Sequence, residues 1–176
     1  MRLISGRSLI VTFFLGSLIL SLSAQEEKCR LLDADSGRKY LPDRAPLESE
    51  SIPIDHKVLS VIQFPDKSRT ALALLAVSGL SGEMRKKYQY ILVSEAKLKL
   101  GRWNLPAGMI GLGTDSAGPD APLRVLVARD FIGTEIERIT LALDPQAQDV
   151  PIALVPTGPR EFEFRIGKYM IRGSQR

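Results

Sequence analysis

The chain has 176 residues, with 24 basic and 20 acidic side chains, one histidine, one cysteine and 44% hydrophobic residues. That length is one domain, and such a domain buries enough of its chain to fold without disulfides or metals. One cysteine excludes an internal disulfide, and one histidine beside it leaves no basis for a zinc cluster.

Taken in chain order, Arg2 and Arg7 come first, and the uncharged run Leu9 to Leu22 follows them. Small residues then surround a polar boundary, Ser21-Leu22-Ser23-Ala24 before Gln25-Glu26-Glu27-Lys28. This order predicts a secretory signal peptide over 1–24, cut after Ser23 or Ala24. The apolar run, about 14 residues, is shorter than the roughly 20 that span a bilayer as a helix. The expected location is therefore exported, periplasmic or extracellular, with membrane contact only transient, through the signal peptide. An accessory module held at the membrane by an uncleaved leader is the alternative. Lipidation at Cys29 is disfavoured, because Glu26-Glu27-Lys28 precede it where small apolar residues are needed. Cys29 reads as a free thiol in a mobile tail.

The leader also carries part of the charge. Its two arginines, taken from 24 basic residues, leave 22 against 20 acidic residues in the mature chain. A nearly balanced exported chain gives no reason to expect nucleic acid as a partner.

Residues 25–55 are polar and turn-rich, with Asp33-Ala34-Asp35-Ser36-Gly37, Pro42, Pro46 and Pro53. They read as an extended, partly mobile lead-in, with a brief strand near Arg30 to Leu32. Residues 56–176 read as a single β-domain. Its apolar runs are Val58 to Phe64, Thr70 to Val77, Tyr88 to Ser94, Lys97 to Leu100, Met109 to Leu112, Leu123 to Arg129, Ile136 to Leu143, Val150 to Val155 and Glu161 to Ile166. Alternation is clearest in the last, where Phe162, Phe164 and Ile166 oppose Glu161, Glu163 and Arg165. Period two with β-branched enrichment identifies strands, and Gly, Pro and Asp clusters separate them. Thr70 to Val77 is rich in Ala and Leu, which favours helix by propensity. Its shortness and its flanking strands make it a buried strand. The expected fold is all-β: an antiparallel sandwich or small barrel of about 7–9 short strands.

Lys99 to Leu112 contains Leu105-Pro106-Ala107-Gly108 between two strand-like runs. It resembles a hairpin of small secreted bacterial β-domains of unknown function, in which a Leu-Pro-Ala-Gly turn leads into a strand with aromatic and glycine residues. The resemblance covers about a dozen residues and departs at Met109-Ile110, where such hairpins often carry a tyrosine. It implies a sandwich or small barrel, and it transfers no catalytic residue.

Few groups can carry chemistry. His56, beside Asp55, is the only imidazole, so a small secreted hydrolase would need it as the base for a serine nucleophile. Ser78-Gly79-Leu80-Ser81-Gly82 does not have nucleophile-elbow spacing. Ser94-Glu95-Ala96-Lys97 matches Ser-x-x-Lys, but it ends a strand where that motif needs a helix. Asp33, Asp35 and Gly37 echo a calcium loop with its glycine misplaced, and Arg44 stands where a glutamate belongs. Asp115 and Asp120 read as a polar loop. Arg85-Lys86-Lys87 before Tyr88 and Tyr90 reads as a charged loop entering a half-buried strand, with contact to anionic lipid or acidic polymer as its functional reading.

Trp103, the one tryptophan, and Asn104 lie in the Gly101-to-Gly108 connection. A tryptophan there either covers one end of the core or stacks on a ligand. The expectation is a non-catalytic β-domain that binds a protein, an envelope component or a small ligand. Its candidate binding residues are Trp103, Asn104, Tyr88 and Tyr90, and neither cofactor nor metal is expected.

Overall fold

The computed structural model describes residues 28–115, 123–148 and 150–176. The predicted signal peptide and Asp120 lie outside the described residues. Thirteen strands and two short helices are described: β1 (Arg30–Leu31), α1 (Ala34–Arg38), β2 (Arg44–Leu47), β3 (Glu50–Gln63), β4 (Arg69–Leu75), α2 (Gly82–Lys87), β5 (Tyr90–Ser94), β6 (Leu98–Leu100), β7 (Trp103–Leu105), β8 (Gly108–Asp115), β9 (Leu123–Arg129), β10 (Glu135–Leu143), β11 (Val150–Pro156), β12 (Glu161–Gly167) and β13 (Tyr169–Gln175). None of the described helices is long and apolar enough to cross a membrane.

The strands form one antiparallel sheet in the order β1-β3-β4-β5-β8-β9-β10-β13-β12-β11. The sheet curls until β11 packs against β3 and β4, giving a nearly closed barrel. Across that seam the Leu154 backbone N–H donates to Ser60 Oγ at 2.9 Å. β13 touches β10 only at Met170 and Tyr169, and from Gly173 onward it pairs with β6. The β6–β7 hairpin therefore fills the space where β10 and β13 diverge.

Alternation along the strands sorts side chains into two cores, as a period-two backbone requires. Inside the barrel lie Leu72, Leu92, Leu112, Leu126, Ile139, Phe162, Phe164 and Ile166 among others. Phe64 and Phe162 meet edge to face with ring centroids 6.0 Å apart. The interior is filled by side chains. Outside the wall, Leu41, Ala45, Leu47, Ile52, Ile54, Ala71, Ala73, Tyr88 and Ile91 form the second core.

That second core revises the reading of residues 25–55. The segment holds β1, α1, β2 and the first part of β3, and it buries Leu41, Ala45, Leu47, Ile52 and Ile54. Its apolar residues are spaced by prolines and charges, so no single window shows a strand period. Each burial of this kind contributes about 1.5–3 kcal/mol for a Leu or Ile. Cys29 is likewise in the barrel core rather than a mobile tail, only 6% exposed. Burial pushes its thiol up to about 11.

Two further expectations change in detail. Arg85-Lys86-Lys87, read as a charged loop, form the end of α2 (Gly82–Lys87), which is capped by Ser81 Oγ accepting from Met84 N–H at 3.2 Å. The Pro106-Ala107 link does not close a hairpin: β7 pairs with β6, whereas β8 pairs with β5 and β9. Turn chemistry marks the bend but not the partner strand, which is decided by the registers on either side.

Candidate functional site

The site begins with two glycines on the outer face of β8. A Cβ on Gly113 would lie 2.4 Å from the carbonyl oxygens of both Lys86 and Lys87. A Cβ on Gly111 would lie 2.5 Å from the Tyr88 ring. Without those atoms, the last turn of α2 rests directly on the sheet. Tyr88 caps the helix with its N–H on Met84 O at 2.9 Å and turns its ring into the outer core. Its hydroxyl donates to Glu48 Oε1 at 2.9 Å. Burial, and then that carboxylate, raise the phenol well above its ordinary value.

Beside this contact runs a groove of about 400 Å³, lined by Lys86, Lys87, Gln89, Thr114, Asp115, Val127, Arg129 and Arg138. Thr114 Oγ1 donates to Gln89 Oε1 at 2.6 Å. Lys87 pairs with Glu83 at 2.9 Å and with Glu48 at 3.5 Å. The hydrogen bond with Glu83 raises the lysine and lowers the carboxyl. Arg138 pairs with Glu135 at 2.8 Å and with Asp115 at 3.1 Å. Arg129 donates to a carbonyl, Lys87 O, at 3.4 Å. Among the described residues, no carboxylate lies within ion-pair distance of Lys86 or Arg129.

At one end of the groove stands the β9–β10 turn. Asp130 Oδ1 accepts from Ile132 N–H at 3.0 Å and from Thr134 N–H at 2.8 Å. The Glu48 N–H donates to Phe131 O at 2.6 Å. This bonding fixes the turn while Phe131 and Ile132 stay 61% and 64% exposed. Glu48 thus joins the turn to both Lys87 and Tyr88.

The four residues singled out from sequence do not meet. Tyr88 is fully buried in the outer core. Tyr90 packs half-buried against the barrel core, and burial raises its phenol. Trp103 packs on the same core from β7, with the Arg102 guanidinium 4.9 Å from its ring. Asn104, one residue on, is exposed and pairs across to Lys99 on the opposite face. Tyr88 and Tyr90 lie on different cores because Tyr88 precedes β5 and ends a helix. Of the run Arg85 to Tyr90, Lys86, Lys87 and Gln89 line the groove. Sequence reasoning missed Thr114, Arg129, Arg138, Phe131 and Ile132. The one local signal for these was two large apolar residues in the middle of Asp130-Phe131-Ile132-Gly133-Thr134, a turn where polar residues are usual.

Of the other candidates, Ser94 and Asp33 are held by structural bonds and His56 is not. His56 Nε2 lies 3.5 Å from Asp43 Oδ1, outside hydrogen-bond geometry, and neither buried ring nitrogen has a hydrogen-bond partner. Among the described residues, no serine hydroxyl is therefore bonded to it. Ser94 Oγ is buried against Thr70 Oγ1 at 2.8 Å and donates to Ala96 O at 2.7 Å. Asp33 caps α1 by accepting from Ser36 N–H at 2.9 Å. Among the described residues, no group of three or more His, Cys, Asp or Glu side chains could hold a metal ion.

Fold and site together define a nearly closed antiparallel β-barrel with a helix-bordered polar groove on its outer wall. Comparison with protein families, with curated proteins and with solved structures gives no match for this chain.

Proposed function

We propose that the protein is an exported, non-catalytic binding domain, and that the groove between α2 and the outer face of β8, β9 and β10 is where it engages a protein, envelope component or small ligand. The observation that carries this reading is the pair Lys86 and Arg129, two cations without a carboxylate partner among the described residues, lining one concave surface of about 400 Å³. The large side chains packed inside the barrel support it as well, because the groove on the outer wall stays open for recognition. The unbonded imidazole of His56 weighs against the hydrolase alternative.

The test is a photo-crosslinking amino acid placed at exposed Lys86, with the same probe at exposed Lys99 on β6, which does not line the groove, as the control. A defined adduct at 86 and none at 99 is the expected result. Equal labelling at both positions, or none at 86, overturns the groove. Ester or peptide turnover by the purified protein that disappears in His56→Ala with folding intact overturns the non-catalytic reading. N-terminal sequencing of the protein recovered outside the cytoplasm should begin at Ala24 or Gln25. A product beginning at Met1 favours the membrane-held form.

A further inference from the structure

We infer that the groove takes an acidic segment of a partner protein, with a carboxylate on Lys86 and Arg129 and a neighbouring apolar side chain against Phe131 and Ile132. This rests on the binding reading above and names the ligand chemistry.

The charge inventory selects the acid. Glu83 and Glu48 are engaged with Lys87, and Glu48 also accepts from Tyr88. Asp115 and Glu135 are engaged with Arg138. Asp130 is engaged with the backbone of its own turn. Among the described residues, every one of these carboxylates therefore has a partner, and the groove cations without one are Lys86 and Arg129. Such an arrangement rewards one or two incoming carboxylates with charge-assisted hydrogen bonds, Arg129 offering a planar fork for a bidentate pair.

The same inventory disfavours a flat anionic membrane. Lys86, Lys87, Arg129 and Arg138 are matched or exceeded in number by Glu48, Glu83, Asp115, Asp130 and Glu135. A broad anionic surface would meet that whole patch and gain little, whereas a narrow acidic peptide reaches the two cations alone. The Phe131–Ile132 turn supplies the apolar half. Both side chains project from a backbone already fixed by five hydrogen bonds, so docking on them costs little ordering of this chain. Exposed large hydrophobics on a rigid turn beside a charged groove are the mixture that protein interfaces place at a core and its rim.

The experiment is selection of a random peptide library on the immobilised protein. Selected peptides are remeasured in solution against Lys86→Gln, Arg129→Gln and Phe131→Ser, each checked for an unchanged melting profile. The expected peptides are enriched in Asp or Glu next to an apolar residue, and they lose about tenfold or more in affinity with Arg129→Gln. Replacing their acids by the matching amides should weaken them comparably. Selected peptides without acidic excess that nonetheless compete at the Lys86 crosslink overturn this inference and leave the groove reading standing. Failure to select any peptide overturns it, as does equal affinity for the wild type and both cation variants. Arg129-dependent binding to phosphatidylglycerol vesicles in the absence of peptide binding also overturns it, assigning the cations to a membrane instead.

Discussion

Leu154 on β11 and Ser60 on β3, 94 residues apart in sequence, are joined by a 2.9 Å hydrogen bond from the Leu154 N–H to the Ser60 hydroxyl oxygen. These strands approach at the seam where the sheet nearly closes on itself. A side-chain oxygen does here what a ladder does elsewhere. The same strand contains Pro151 and Pro156, which have no N–H to offer. Proline and side-chain capping are both ways of blunting a strand edge against unwanted pairing.

Ser60→Ala removes the acceptor and leaves the N–H of Leu154, a residue 1% exposed, without a partner. The expected cost is about 1–3 kcal/mol in urea denaturation. Amide exchange at Leu154 should accelerate more than at Ala153. Unchanged stability together with unchanged exchange would show that the seam does not depend on this bond.

Gly113→Ala should cost about 1–3 kcal/mol and displace the end of α2, because the new methyl meets two backbone carbonyls that cannot rotate away. Gly79→Ala is the matched control: its Cβ would meet nothing within 4 Å, so a change within about 0.5 kcal/mol is expected. Equal effects of the two substitutions in thermal melts would refute the close-packing account of the groove wall.

Much of the barrel was legible because its strands advertise themselves. In β12, Phe162, Phe164 and Ile166 alternate with charged residues, and the structure buries the three. Thr70 to Val77 had the wrong propensity for a strand, yet β4 spans Arg69–Leu75, because tertiary pairing on both sides outweighs propensity. The groove was not legible. Arg129 and Arg138 lie on different strands, and their shared face follows from the β9–β10 register, with Arg138 opposite Val127. Tyr88 looked like a strand residue because alternation runs through it. Only the packing of α2 against Gly111 and Gly113 shows that the strand begins two residues later.

Acid should loosen the turn between β3 and β4. Asp66 accepts from Ser68 Oγ at 2.7 Å and from Ser68 N–H at 3.0 Å, and Gln175 of the last strand donates to its other oxygen. The Ser68 hydroxyl is the largest of several causes that hold the carboxyl below its usual range. A carboxyl with a depressed folded value contributes stability above its unfolded value, and that contribution is lost as pH falls through the folded one. The urea midpoint should therefore drop as pH is lowered from about 4 toward 2. Asp66→Asn should show a shallower drop over that window. A variant profile parallel to the wild type would remove Asp66 from the account.

The opposite limb belongs to Cys29. Its thiol is buried in the barrel core and pushed up to about 11, so the native state holds a proton that the unfolded chain releases earlier. The sign follows: the stabilisation is complete below the unfolded thiol value, about 8.5, and is lost as pH rises toward the folded one. The urea midpoint should decline above about pH 9, and Cys29→Ser or Cys29→Ala should flatten that decline. Cys29→Ala removes little more than the sulfur, and a cost of about 1–2 kcal/mol at neutral pH is expected for it. A disulfide reagent at pH 8 should label the native protein only as fast as the barrel opens, and the urea-unfolded protein at once, because the reactive species is the thiolate and burial suppresses it. Rapid labelling of the native state would place Cys29 outside the core and remove it from the alkaline limb.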